Sequence, residues 1–292
     1  MIMRKITYVL MALALSVAAS AQSSDFQRRY NVLLDRVGPA GIGMETLIEN
    51  WSKAEPESQD MMQARFFYYL AKSQGTEVVE RREPKYLGMS PILSLKDSTD
   101  ANVYYYEVLK YDDELFAESL KAVDKLIAAY PDRLDFRFMK ANAYISYERE
   151  SPDMALANVM GLAYDYKISK DKWFYKEDGT VEPSQVDDDM FADMMQEYCY
   201  SFYSLGSSSS YDAFFTLSKR LNEYFPKHAD FLANIGSYHM VVNKDYKTAL
   251  KYYDKALKID SENTSVMHNA LIAARKMNNT KLEKKYLKMM GQ

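Results

Sequence analysis

Cysteine is almost missing from this chain of 292 residues, and the lone Cys199 makes an intrachain disulfide impossible. Histidine is nearly as scarce. His228, His239 and His268 stand 11 and 29 residues apart, which fits no metal-ligand spacing. Glycine (10) and proline (8) are too few for an all-β chain built on many tight turns. There is no Gly-rich phosphate loop and no Gly-x-Ser-x-Gly elbow. An excess of positive charge is lacking too. Lys+Arg is 37 against 41 Asp+Glu, a net −4, so bulk attraction to phosphate backbones is absent and nucleic acid is not an expected partner. These absences set the expectation of a non-enzyme without cofactor, metal or catalytic residues.

What remains is an ordinary folded composition, 48% hydrophobic and 27% charged, unusually rich in Tyr (25) and Met (18). The length allows one elongated domain or two compact ones. Arg4 and Lys5, the apolar run Ile6 to Ala19 and the small residues Ala19-Ser20-Ala21 read as a secretory signal peptide, residues 1–21, with Gln22 as the mature start. The apolar run is shorter than the roughly 20 residues a membrane span requires, so no span is expected in the mature chain. Cys199 is far from the cleavage site, so a lipoprotein anchor is not expected either. The chain is therefore expected to be periplasmic or secreted. Cys199 itself, within Tyr198-Cys199-Tyr200 in a helical pattern, is expected to be a small buried hydrophobe.

Helical periodicity fills most of the chain. Asp113 to Tyr130 carries Phe116, Leu120, Val123, Ile127 and Tyr130 at steps of 4, 3, 4 and 3, and Pro131 stops it. Leu134 to Ser146 follows, then a helix opening at Pro152-Asp153 with Ala155, Val159 and Leu162 on one face. Further on come Tyr211 to Phe225, ended by Pro226, then Ala229 to Val242, Tyr246 to Ile259, Ser265 to Met277 and Thr280 to Met290. Upstream, Asp25 to Val37, Met44 to Ala54 and Ser58 to Ser73 read as helices, the first a cap for the array. Short links force antiparallel neighbours. Residues at an offset of 95 repeat: Leu126 and Leu221, Pro131 and Pro226, Asp135 and Asp230, Phe136 and Phe231, Ala141 and Gly236. One unit has been reused.

Asp230 to Asn263 resembles a tetratricopeptide repeat. Asn234-Ile235-Gly236 matches the family's first helix, and Asp245-Tyr246, Ala249, Tyr253 and Ala256 match its second. His239 stands where tyrosine is usual, Ser261 where proline is usual, and the turn is one residue longer. Asp135 to Leu162 is a weaker copy, with Ala141, Tyr144, Ala155, Val159 and Leu162 in register. The resemblance implies an all-α, right-handed solenoid of stacked antiparallel hairpins. Its segments are N-terminal helices at 22–75, an insertion loop or β-hairpin at 76–112, and tetratricopeptide-like repeats at 113–292 with an insertion near 167–183. It implies interlocking roles for Ala141, Tyr144, Ala155, Gly236, Ala249, Tyr253 and Ala256. It also implies an inner wall made by the first helix of each pair, with Phe138, Asn142 and Ile145, then Ala233, Ser237 and Met240, then His268, Ile272 and Arg275 facing a protein or peptide partner.

Two stretches interrupt the helices. Tyr86 to Tyr106 reads as a β-hairpin or packed loop, and Trp173 to Pro183 holds the turn dipeptide Asp178-Gly179. Both read as insertions. Asp187-Asp188-Asp189 lacks the alternate spacing of a calcium loop and reads as a helix start. Ser207 to Ser210 reads as a turn and cap for the helix at Tyr211. The Tyr104-Tyr105-Tyr106 and Tyr252-Tyr253 clusters, with Trp173, either pack between helices or stack on a ligand. The functional expectation is a non-enzymatic, exported protein- or peptide-binding scaffold. The alternative is a glycan-binding protein of an outer-membrane uptake system.

Overall fold

The computed structural model describes residues 25–169, 172–177 and 182–291. The expected leader lies outside them, as does the Asp178-Gly179 turn. Among the described residues twelve α-helices and five short strands form. The architecture is all-α, with antiparallel helical hairpins in sequence order and two small antiparallel β insertions. No helix among the described residues is long and apolar enough to cross a membrane. Two compact units divide the chain: 25–147 with 172–177 and 182–186, and 148–169 with 187–291.

The first unit opens with α1 (Asp25–Val37), α2 (Met44–Ala54) and α3 (Gln59–Ser73). Met44, Leu47, Ile48 and Trp51 recur at i, i+3, i+4 and i+7 on α2 and are buried. They meet Tyr30 and Phe66 in one core. Ser58 starts α3 by accepting the Met61 N–H at 3.3 Å. The chain then leaves the helical layer as β1 (Gln74–Arg81), β2 (Leu93–Lys96) and β3 (Asn102–Tyr111), in spatial order β1-β3-β2 with both pairs antiparallel. It returns at Asp112, whose N–H donates to the Ser73 carbonyl at 2.8 Å. Asp112 also caps α4 (Asp113–Ala129). The sheet is thus a loop thrown out between α3 and α4, and those two helices still pack against each other. The hairpin expected near 86–106 exists as β2 and β3, its turn held by the Asp97 carboxylate, which accepts the Thr99 and Ala101 N–H groups. Strand β1 adds a third strand where a loop or hairpin is expected. It is an edge strand with no fully buried residue, so no alternation marks it.

After α4 comes α5 (Leu134–Tyr147). The second insertion is a hairpin, β4 (Trp173–Tyr175) with β5 (Ser184–Val186). It docks on the α4–α5 turn, where the Phe174 N–H donates to the Asp132 carbonyl at 2.9 Å.

The second unit comprises α6 (Asp153–Ile168), α7 (Asp188–Leu205), α8 (Ser208–Tyr224), α9 (Ala229–Val241), α10 (Tyr246–Ile259), α11 (Thr264–Lys276) and α12 (Thr280–Met289). From α7 onward each helix packs on its neighbours in sequence. Asp187 caps α7, as the acid run leads one to expect. Ser207 caps α8 in a reciprocal box with Ser210, so the serine run lies within the first turn of a helix that starts three residues earlier than the periodicity implied.

The 95-residue repetition is a repeated corner. Helices α4 and α8 end at Tyr130 (φ −132°, ψ 68°) and Phe225 (φ −127°, ψ 66°). Their N–H groups donate to Leu126 and Leu221 at 2.8 and 2.7 Å. In each, a cationic or imidazole side chain then covers a fully buried phenylalanine: Arg133 over Phe136 at 4.7 Å and His228 over Phe231 at 4.6 Å. The corner recurs once per unit. The pair expected at Asp135 to Leu162, however, is divided: α5 belongs to the first unit and α6 to the second.

A candidate partner-binding row of first helices

Helices α7, α9 and α11 are the first members of three successive hairpins, and each packs on the next in the row. What holds α9 in place begins with Gly236. A Cβ there would lie 2.8 Å from Tyr253 Cε1 and 3.1 Å from the Ala249 carbonyl oxygen. Glycine lets the Tyr253 ring of α10 approach the α9 backbone closely. That ring is fully buried, and burial pushes its hydroxyl up to about 12. The hydroxyl shares a hydrogen bond with Ser237 Oγ (3.1 Å) and donates to Met240 Sδ at 3.7 Å. Ala249 and Ala256 are fully buried beside it.

Polar side chains tie the row together. Gln196 on α7 and Asn234 on α9 exchange amide hydrogen bonds at 3.2 and 2.7 Å. Asn263 Nδ2, at the start of α11, donates to Asp230 Oδ1 on α9 at 3.2 Å, and Asn263 Oδ1 caps the Val266 N–H. His228 Nε2 meets Asp193 Oδ1 at 2.9 Å. These pairs fix the lateral spacing of the first helices.

The nine residues expected on the inner wall do not form one set. Phe138, Asn142 and Ile145 lie on α5 in the first unit; the other six lie in the second. Phe138 is 8% exposed and edge-on to Tyr175 at 5.9 Å, so it packs inward. Ala233 is also 8% exposed and belongs to the second unit's core. Both are corrected from wall to core: strand β4 covers Phe138, and the neighbouring helices of the second unit cover Ala233. Asn142, Ile145, Ser237, Met240 and Ile272 are half-buried, and His268 and Arg275 are exposed. Arg275 Nε is paired with Glu283 Oε1 at 2.8 Å. The packing residues Ala141, Ala155, Gly236, Ala249, Tyr253 and Ala256 are all buried, and Tyr144 is half-buried against Phe116.

Helix α7 carries none of the nine expected residues. Its exposed residues Asp189, Asp193, Glu197 and Tyr200 recur at steps of 4, 4 and 3. That stripe was legible in the sequence, but the turn signals before it fall in the β4–β5 insertion. Among the described residues no three His, Cys, Asp or Glu side chains come together to hold a metal ion. The Cys199 thiol is buried, receives the Ser218 hydroxyl at 3.5 Å, and is pushed up to about 12 by burial. This is the inert packing role read from the sequence.

The aromatic clusters are largely used up in packing. Tyr106 and Tyr253 are buried, and Trp173 is 7% exposed under the Arg137 guanidinium at 5.0 Å. Tyr252 belongs to a ladder of half-buried rings crossing three helices. Phe215 stacks on Tyr238 at 4.2 Å, and His239 stacks on Tyr252 at 5.6 Å. Phe215 meets His239 edge-on, and Lys219 and Lys255 sit over the outer rings. These ring faces are occupied by one another and by the lysines.

No family model matches the chain, and no curated protein does. Two solved structures, both crystal structures of MamA, are similar at a distance. They are 15% and 14% identical and cover 60% of this chain and 80% and 86% of theirs, each with a TM-score of 0.36. The fold assignment stands on the helix succession and the interlocking at Gly236 and Tyr253.

Proposed function

We propose that the second unit is a non-enzymatic module that holds a protein or peptide segment along the row α7, α9 and α11. The observation that carries this reading is the lateral bonding of those three helices through Gln196–Asn234 and Asn263–Asp230. Rigidly spaced helices present a preorganised surface, which lowers the ordering cost of binding. The surface offered is mixed: Tyr200, His268 and Ile272 for apolar and aromatic contact, Glu197 and Asp193 for polar contact. We place the mature protein outside the cytoplasm, on the strength of Arg4, Lys5 and the Ala19-Ser20-Ala21 site. N-terminal sequencing of purified protein checks that placement, with Gln22 as the expected first residue.

The binding reading is tested by photo-crosslinking in intact cells. A photoreactive residue at His268 or Tyr200 is expected to yield a discrete adduct, identified by mass spectrometry. The same residue at Thr216, exposed on the second helix α8, is expected to yield none. Equal labelling at all three positions overturns the assignment of the row.

A further inference from the structure

The charge of this protein is unevenly placed. Residues 244–291 hold 11 Lys and Arg against 5 Asp and Glu, although the whole chain has 37 against 41. Most of that surplus sits on two second helices. On α10, Lys247, Lys251, Lys255 and Lys258 fall within an arc of about 80° and extend for about 16 Å. On α12, Lys281, Lys284, Lys285 and Lys288 fall within an arc of about 100°. All eight are exposed. The two rows are neighbours, because Lys285 Nζ meets Asp254 Oδ1 of α10 at 2.6 Å and the Tyr286 hydroxyl donates to the same oxygen at 3.0 Å. Among the described residues that is the one ion pair within 4.0 Å made by any of the eight. Ile259 and Met289, the residues that end these helices, are 42% and 39% exposed.

We propose that the α10–α12 face docks on an anionic phospholipid surface. Like charges crowded on one face cost self-repulsion, which a partner of opposite sign relieves. Charge complementarity requires an anion, and the side chains say which kind. All eight cations are lysines, which act as point charges rather than planar forks, so the face suits closely spaced headgroups without a geometric code. It offers no Arg, Asn or Gln for reading base edges. Exposed apolar residues at the helix ends suit the headgroup–acyl boundary and have no use against a solvated polyanion. The rest of the chain is acidic, so an anionic bilayer attracts this face and repels others, which orients the molecule. The face lies on second helices, so docking leaves the first-helix row unoccupied.

Co-sedimentation of the full mature chain with phosphatidylglycerol-containing vesicles tests the proposal, with pure phosphatidylcholine vesicles and duplex DNA as the other arms. Wild type is expected to bind the anionic vesicles at low salt, to release as salt rises, and to ignore phosphatidylcholine. The variant Lys251→Glu, Lys255→Glu, Lys284→Glu, Lys288→Glu is expected to lose at least about tenfold in partition. Its glutamine counterpart, which keeps size and helicity without adding repulsion, is expected to fall between. Ile259→Ser with Met289→Ser is expected to weaken binding at high salt more than at low salt. Absence of wild-type binding, equal binding to neutral vesicles, an unaffected Glu variant, or tighter binding to duplex DNA would each overturn it.

Discussion

At Gly236 two effects of opposite sign compete. Replacing a helical glycine by alanine gains about 1 kcal/mol of propensity. The added Cβ would meet the Tyr253 ring at 2.8 Å and the Ala249 carbonyl at 3.1 Å, and overpacking of this kind costs about 1–3 kcal/mol. The ring cannot swing aside, since it is fully buried and its hydroxyl is tied to Ser237. Gly236→Ala is therefore expected to be net destabilising in denaturant unfolding. Gly236→Ala combined with Tyr253→Leu should recover part of the loss relative to Tyr253→Leu alone.

Burial also sets a pH response at this scale. Cys199, Tyr30 and Tyr253 are each pushed up to about 12. In the unfolded chain they ionise from about pH 8.5 for cysteine and 10 for tyrosine. Above those values the unfolded chain holds fewer protons than the folded one, so stability falls as pH rises. Loss is expected to begin near pH 9 and to continue to about 12, read as a falling melting temperature. In the same native state Cys199 should resist thiol reagents at pH 8 and react once the chain is unfolded.

The elements of the second unit are joined by side chains that serve two helices at once. Asn234 is buried, and its amide partner is Gln196. Removing one amide leaves the other unpaired at a cost of about 1–3 kcal/mol. Gln196→Ala and Asn234→Ala should each destabilise, and the double variant should cost less than their sum, with coupling of about 0.5–3 kcal/mol in a double-mutant cycle. Asn263→Ala removes both the cap of α11 and the tie to Asp230, and about 1–2 kcal/mol of loss is expected. Asn234 was legible through its place in Asn-Ile-Gly. Gln196 was not, because nothing in its own helix marks which of its polar residues meets a neighbour 38 positions away.

At the largest scale the second unit stacks in sequence order from α7 onward, which makes its stability a sum of neighbour terms. Among the described residues helix α12 packs on α11, reaches α10 through Lys285 and Tyr286, and keeps Tyr286 as its single fully buried anchor. Its amides are expected to exchange faster than those of α9 and α10 in native-state hydrogen exchange. Uniform protection across the second unit would contradict that picture.

Helix boundaries, the repeated corner at 126–136 and 221–231, the acid cap at Asp187 and the inert Cys199 follow from local chemistry, since periodicity, proline stops and capping side chains act within a few residues. Three features do not. The excursion of β1 rests on an exposed edge strand without a pattern. The inward packing of Phe138 and Ala233 depends on elements that come later or earlier in the chain, strand β4 for the one and the helices of the second unit's core for the other. The parting of α5 from α6 depends on which core each helix joins. All three are settled by long-range burial, in which the value of an apolar side chain is decided by the neighbour that covers it.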